Sequence, residues 1–425
     1  MSQNVAVVGL QWGDEGKGKV VDLLARDADV IARCQGGANA GHTVIVGEKK
    51  YILHLIPSGI IHPDKVCYIG NGVVLDPFGL IEELKLLEAE GIDYRGRLFI
   101  SPACNLVMPY HKLLDELYEN RRGGGSLGTT LRGIGPAYRD KVARLGIRLA
   151  DLFDEPTLSG KLETVKRQRA ESFADLMDDP RCDFAETKKR LEQAGAILKP
   201  MMADVSSEIV RLQSEGKRIL FEGAQGALLD VDLGTYPYTT SSNTTVGGIF
   251  TGLGIGPRLV DEVVGVVKAY TTRVGAGPFP TELATEVAEK LRELGGEYGA
   301  TTGRPRRTGW LDLVSLRHSC RVNGVDKIAV TKLDVLDTFE KINVCVAYEL
   351  DGKETTDFPS LISAFERVRP VYREFTGWQT DTGAISRFED LPAEAQNYIR
   401  FVADELGVGI KLVSTGAARS ETILV

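Results

Sequence analysis

The chain has 425 residues, with 51 Lys plus Arg against 59 Asp plus Glu, a formal net charge of −8. That balance excludes a generally basic nucleic-acid binder, and 43 % hydrophobic with 26 % charged residues excludes a disordered or fibrous chain. Glycine is the anomaly, with 47 residues or about 11 % against a usual share of about 7 %, clustered as in loops that bring backbone close to a ligand. Six cysteines lie tens of residues apart without a C-x-x-C, which excludes a zinc knuckle and a dense disulfide framework. No basic leader and no apolar run near the roughly 20 residues of a membrane span are present. The expected setting is the reducing cytoplasm, without membrane or nucleic acid as a partner.

In chain order, Asn4 to Leu10 (NVAVVGL) reads as a strand, a glycine loop follows, and Val20 to Ala28 (VVDLLARDA) has helical spacing. Apolar runs of strand length recur at Asp29 to Cys34, Lys65 to Ile69, Arg97 to Ser101, Arg218 to Phe221, Asp261 to Tyr270, Lys327 to Thr331, Ile342 to Tyr348 and Ile410 to Ser414. Such continuous apolar strands alternating with helices predict an α/β fold, a large and mostly parallel central sheet flanked by helices. Long charged helical text over about 152 to 216 predicts a helical insertion. Without a linker or repeat, one α/β domain over residues 1–425 is expected.

Gly13 to Lys19 (GDEGKGK) directly follows the first strand and has phosphate-loop spacing, with Val20 where Ser or Thr would hold magnesium. Converging amide groups, the following helix terminus, Lys17 and Lys19 suit phosphate oxygens. Asp14 and Glu15 do not suit a plain phosphate cradle, because like charges repel there, unless a carboxylate binds metal or takes a proton. A second glycine loop, Gln35 to Thr43 (QGGANAGHT), carries His42. In a parallel sheet both loops leave the same carboxyl edge, expected here from adjacent strands, so that Asp14 and His42 face one ligand. His54, His62, His111 and His318 read as structural or surface residues.

Arg121 to Lys141 is too glycine-rich for an element and too long for a simple connection. Within and beyond it, Thr129, Thr130, Arg132 and Arg144 offer hydroxyls and guanidinium groups to a phosphate. Gln225 in FEGAQGALLD and the run Tyr238 to Thr245 (YTTSSNTT) read as ligand-facing loops. Ala300 to Trp310 (ATTGRPRRTGW) places three arginines on a stiffened loop suited to an anionic substrate. Lys327 to Asp334 ends in T-K-L-D, close to the N-K-x-D guanine motif, in which the Asp accepts two N–H groups that adenine lacks. Ser414 to Gly416, at another strand end, would complete that pocket.

Together GLQWGDEGKGK, QGGANAGHT, GTTLRGIGPAYRDK, FEGAQGALLD, TYPYTTSSNTT, TTGRPRRTGW, TKLD and STG, in this order over almost the whole chain, resemble the adenylosuccinate synthetase family. The resemblance implies GTP-dependent joining of IMP and L-aspartate in AMP biosynthesis through 6-phosphoryl-IMP, with Mg²⁺ and a homodimer. It implies Asp14 as base and metal ligand, His42 as acid, Lys17 on phosphate charge, and the Gly41 carbonyl as a second metal ligand. Asn39, Thr130, Gln225, Thr240 and Arg304 would join these around IMP, with Arg144 reaching it from the partner subunit. Thr301, Thr302, Arg304 and Arg306 would hold aspartate. Gly13, Glu15, Gly16, Lys17, Gly18, Lys19, Gly41, Thr43, Arg306, Lys332, Asp334, Ser414 and Gly416 would hold GTP. The chain departs from the family's usual pattern at Leu131, Arg139, Ala417 and Ala418, and in a tail that stops at Val425. A GTP-dependent switch protein would share the phosphate loop and K-x-D, and a catalytically silent nucleotide sensor would share the fold; Asp14 and His42 argue for the enzyme.

Overall fold

The computed structural model describes residues 3–46, 49–123, 127–174, 177–284, 286–299 and 303–425. Among these, nine strands form the main sheet: β1 (Val5–Gly9), β2 (Val30–Arg33), β3 (Val66–Ile69), β4 (Leu98–Ile100), β5 (Ile219–Glu222), β6 (Glu262–Lys268), β7 (Lys327–Thr331), β8 (Gly409–Ser414) and β9 (Thr422–Leu424). Their order is β9-β8-β7-β6-β1-β5-β2-β3-β4. Every pairing is parallel except the edge pair β8 with β9.

The side-chain alternation of a strand explains why both faces are covered. In β1 the buried Val7 joins Ile31, Ile69 and Val264 in one core, whereas Ala6 and Val8 join Ala32, Phe221 and Val267 in another. A β-branched run without polar alternation therefore sits in the middle of the sheet. The helices of the insertion, Glu155–Ser172, Phe184–Leu198 and Val205–Ser214, each start at an aspartate cap: Asp154, Asp183 and Asp204 accept from Thr157, Glu186 and Ser207 amides. Leu158, Leu162, Leu191 and Leu198 pack into the core that holds Val7, and Ile209 into the other. Among the described residues, no helix is long and apolar enough to cross a membrane.

Four expectations are corrected. Arg121 to Lys141 is not free of regular structure, because its last eight residues lie in the helix Ile134–Ala143. β1 and β2 are not adjacent, because β5 pairs with both and separates them; the two glycine loops still leave one edge. Ile342 to Tyr348 lies in a strand, Lys341–Leu350, of a separate small sheet whose partners include Arg369–Thr376, so not every apolar run joins the central sheet. The first helix, α1, spans Lys17–Ala25 and not Val20 to Ala28. Gly16, at φ 85°, supplies its left-handed cap, and the helix takes in the last three residues of the phosphate loop, Lys17, Gly18 and Lys19.

Candidate functional site

The carboxyl edge of the sheet gathers the loops after β1, β2, β5, β7 and β8. Strand order sorts them: the loops after β2 and β5 lie on one flank, those after β7 and β8 on the other, and the phosphate loop after β1 lies between them. Seven described non-glycine residues hold a positive φ, and five of them fall in or beside the segments singled out by sequence: Asp14 at 56°, Leu131 at 55°, Arg144 at 64°, Gln225 at 58° and Lys332 at 57°. Such backbone costs on the order of 1–3 kcal/mol per residue and persists where surrounding structure enforces it, commonly at ligand sites.

The phosphate loop is stiffened from inside. Glu15 is fully buried, accepts the Gln11 and Gly13 amides at 3.0 Å each, and pairs with the Lys17 ammonium. Its carboxylate faces inward, so Glu15 can meet a ligand only through its backbone. Val20 is buried in the core. Gly18 is required by contact: a Cβ there would lie 2.6 Å from the Thr43 carbonyl oxygen, on the hairpin strand His42–Val46. α1 has no side-chain cap and no acidic residue in its first turn, which leaves amide groups and the positive end of the helix toward the loop.

On the β2–β5 flank, His42 is buried and its Nδ1 contacts Glu222 Oε1, at the end of β5. Glu222 also accepts the Ser58 amide and hydroxyl at 2.8 Å each. Burial would raise its carboxyl, but the imidazole and the Ser58 bonds hold it below the usual range. The imidazole is thereby oriented, and its Nε2 has no partner among the described residues. Gln225 Oε1 and Nε2 are likewise buried and unpartnered. Asn39 Nδ2 lies 3.4 Å from Thr240 Oγ1, which brings the two loops together. Arg33, nearly fully buried, donates to the His54 and Gly37 carbonyls and braces the glycine loop from below.

On the β7–β8 flank, Lys19 Nζ donates to Ser414 Oγ at 2.7 Å, to the Gly416 carbonyl at 2.8 Å and to the Glu421 carbonyl at 2.9 Å. It ties α1 to the STG loop instead of reaching for phosphate. Burial lowers its ammonium to about 8, with Glu421 and Asp334 opposing. Thr331 at the end of β7 donates to the Glu15 carbonyl at 2.5 Å. Asp334 Oδ1 is buried without a partner, and burial pushes its carboxyl up. The departure at Ala417 and Ala418 is closed locally, since Glu421 Oε2 accepts the Ala418 amide at 2.6 Å.

Arg306 Nε lies 2.8 Å from Asp14 Oδ2, out of line with its N–H and therefore an ion pair without a formed hydrogen bond. Arg306 Nη1 donates to Glu297 Oε2 at 2.7 Å. Arg304 approaches the other loop: its Nη1 is 3.4 Å from where a Cβ on Gly128 would stand. Thr301 and Thr302 lie outside the described residues. Thr129 donates to Asp115 at 3.1 Å, whereas Thr130 and Arg144 are exposed. Arg144 follows the ten-residue helix Ile134–Ala143, which at 1.5 Å per residue carries it about 15 Å from the start of that helix.

His54, His62 and His111 are structural as expected: Nδ1 of His54 meets the Ala40 carbonyl at 2.7 Å, and His62 and His111 meet Asp22 and Asp140. The residues that sequence reasoning missed are buried carboxylates, Glu222 and Glu297. Glu222 closes an apolar strand, and Glu297 stands in GGEYGA just before the arginine loop; a charge in such a run was the available signal. Among the described residues, no group of three or more His, Cys, Asp or Glu is placed to hold a metal.

The family model for adenylosuccinate synthetase matches residues 6–423. An adenylosuccinate synthetase of Thermodesulfovibrio yellowstonii is 50 % identical over 420 residues, 99 % of this chain and 98 % of its own. One from Xanthomonas euvesicatoria pv. vesicatoria is 50 % identical over 424 residues, 100 % of this chain and 99 % of its own. The structure of a fully ligated adenylosuccinate synthetase from Plasmodium falciparum superposes with a TM-score of 0.90 at 39 % identity, covering 100 % of both chains.

Proposed function

The chain belongs to the adenylosuccinate synthetase family, whose reaction is the GTP-dependent ligation of IMP and L-aspartate, and from that premise we propose how its own residues carry the reaction. IMP occupies the β2–β5 flank, GTP runs from the phosphate loop to the β7–β8 flank, and aspartate meets the arginine loop. The observation that carries this reading is the set of buried polar atoms without partners, His42 Nε2, Gln225 Oε1 and Nε2, and Asp334 Oδ1. Each such atom costs about 1–3 kcal/mol when left unpaired, and all four stand at the carboxyl edge where the substrates would pair them.

Hypoxanthine O6 is a poor nucleophile until N1–H is removed, and the C6 oxygen is a poor leaving group until it is phosphorylated. Asp14 takes the N1 proton; O6 attacks the γ-phosphorus of GTP, the bond to the β-bridging oxygen breaks, and 6-phosphoryl-IMP and GDP result. His42 donates from Nε2 to the phosphoryl group in transfer, with Glu222 fixing its ring. The aspartate amine then attacks C6 and phosphate departs. Lys17 and the Gly13, Gly16 and Gly18 amides bear phosphate charge. Arg304 and Arg306 grip aspartate, with Thr301 and Thr302. Asn39, Thr130, Gln225 and Thr240 hold IMP. Lys332, Asp334, Ser414 and Gly416 form the guanine pocket, with Thr43 and Gly41 beside the phosphates.

Mg²⁺ fits the donor set. Of the two carboxylates in the phosphate loop Glu15 is buried and Asp14 is not, and among the described residues no cluster of acids surrounds Asp14; Mg²⁺ in phosphoryl transfer takes one or two protein oxygens and fills the rest with phosphate and water. Asp14 and the Gly41 carbonyl would hold the ion, and it would supply neutralisation of phosphate charge. Six free, buried cysteines support work in a reducing compartment, which we assign as the cytoplasm.

The test is purified protein with IMP, GTP, Mg²⁺ and L-aspartate, observed through the purine ultraviolet spectrum. The spectrum changes only with the complete mixture; GTP hydrolysis without IMP and with an unchanged spectrum overturns the reading in favour of a switch protein. We further infer a homodimer in which Arg144 serves the partner's IMP, supported by its exposed place beyond a 10-residue helix. Inactive Asp14→Ala and Arg144→Ala proteins, mixed, regain part of the activity because some heterodimers hold one undamaged site. Mixtures that stay inactive although subunits exchange rule this out.

A further inference from the structure

Glu297 is fully buried and receives three cations. Oε1 accepts from Lys268 Nζ at 2.7 Å, Lys332 Nζ at 3.0 Å and Tyr270 Oη at 2.5 Å, and Oε2 accepts from Arg306 Nη1 at 2.7 Å. These partners come from different parts of the site: Lys332 from the guanine motif after β7, Arg306 from the aspartate loop, and Lys268 from the end of β6 between them. Arg306 continues to Asp14, 2.8 Å away. Burial alone would raise the Glu297 carboxyl, and the charges of Lys268, Lys332 and Arg306 overcome that and hold it far below the usual range. The carboxylate is thus ionised throughout the working pH range. Its own backbone is fixed as well, since the Glu297 carbonyl accepts the Arg306 amide at 2.9 Å and its amide donates to the Arg292 carbonyl at 2.8 Å.

A buried carboxylate surrounded by three cations exceeds what charge balance asks of one acid. Lys268, fully buried, would suffice as its counter-ion. The other two cations are less buried, with side-chain exposures of 30 % for Lys332 and 11 % for Arg306, and each belongs to a loop at the carboxyl edge. We propose that Glu297 is a positioning residue that holds the guanine-side Lys332 and the aspartate-side Arg306 in register, so that the two substrate sites share one anchor. This rests on the assignment of Lys332 to guanine and Arg306 to aspartate made above. Lys268 and Tyr270 fix Oε1, the oxygen that holds Lys332, and Arg306, on Oε2, carries the register on to the catalytic base.

The experiment is steady-state kinetics of Glu297→Gln, with its thermal melt, varying GTP, L-aspartate and IMP in turn. KM for GTP and KM for L-aspartate both rise about 10-fold or more, the loss of a charge-assisted bond at each partner, while KM for IMP changes by less than about twofold. A purely structural role would lower the folded fraction and the turnover without splitting the KM values. Should Glu297→Gln not fold, Glu297→Asp keeps the buried charge and retracts it by one methylene, and both KM values still rise severalfold. Either variant, folded, with a native KM for GTP or for aspartate overturns the proposal. Asp334→Asn and Arg306→Leu serve as controls: if these move the GTP and aspartate constants and Glu297 variants do not, the anchor alone is wrong. If the controls move neither constant, the assignment of the pockets falls and the anchor falls with it.

Discussion

The two flanks of the carboxyl edge are built by opposite means. On the β2–β5 flank His42 and Gln225 have buried polar atoms without partners among the described residues, and the protein's own hydrogen bonds go to orienting such side chains, as Glu222 does for His42. On the β7–β8 flank the cations are already engaged, Lys19 with the STG loop and Lys332 with Glu297; Asp334 Oδ1 and Thr415 Oγ1 remain. The first flank stores unpaired polarity that a substrate relieves, whereas the second is a finished frame with a slot for a base. Substitutions on the first are expected to strike turnover, and on the second the affinity for nucleotide.

The largest effect is expected at Asp14. Asp14→Asn keeps the size of the side chain but cannot accept the N1 proton, and loss of a general base typically costs about 10²–10⁴ in rate. Turnover falls by that factor while the melting temperature changes little, because the side chain is 39 % exposed and its partner Arg306 keeps its second carboxylate, Glu297. A variant that keeps most of its turnover removes Asp14 from the role of base.

A smaller and different effect is expected at Asp334. Asn swaps one acceptor for a donor facing guanine, and the loss of a charge-assisted bond of about 1.5–3 kcal/mol predicts a 10- to 100-fold rise in KM for GTP. Xanthine carries an oxygen where guanine carries its amino group, so use of XTP improves and KM for IMP stays. Kinetics with GTP, XTP and ATP decide it. Unaltered GTP use by the variant, or a preference of the natural protein for ATP, shows that the guanine pocket lies elsewhere.

Much of this was legible in the chain. The strand-length runs at Asn4, Asp29, Lys65, Arg97, Arg218, Asp261, Lys327 and Ile410 all lie in the central sheet, because a strand buried on both faces must read as an unbroken apolar run. The glycine loops were legible because backbone packed closely on backbone leaves no room for a Cβ, as Gly18 shows against the Thr43 carbonyl. Sheet order was not legible: the insertion of β5 between β1 and β2 depends on pairing across about two hundred residues. Glu222 and Glu297 escaped because a buried charge is defined by the partners that fold around it. The ion pair of Asp14 with Arg306 joins segments far apart in sequence for the same reason.

The smallest effect expected is at Lys19, and it tests whether the guanine flank is a frame. Phosphate-loop spacing alone would put Lys19 on phosphate, but in the structure its three donors meet three oxygens of the STG loop and Glu421. Lys19→Met keeps the stem and removes the donors, so the loop loosens and KM for GTP rises severalfold, with turnover at saturating GTP little changed. The pH dependence has a definite sign. The folded ammonium loses its proton near pH 8, against an ordinary 10.5, and a neutral amine has two donors for three acceptors. As pH rises through about 8, kcat/KM for GTP therefore falls in the natural protein, and the fall is shallower in the Lys19→Met profile, which keeps only the part owed to Lys268, likewise lowered to about 8 by burial. Stability moves the other way. Because the folded pKa is depressed, the unfolded chain binds the proton more readily between about 8 and 10.5, so the contribution of this group to folding stability rises with pH across that window. Activity and stability profiles measured together on both proteins separate the two trends. A Lys19→Met protein that keeps the whole limb at pH 8, or that loses turnover as severely as Asp14→Asn, would place Lys19 at the phosphates and undo the contrast between the flanks.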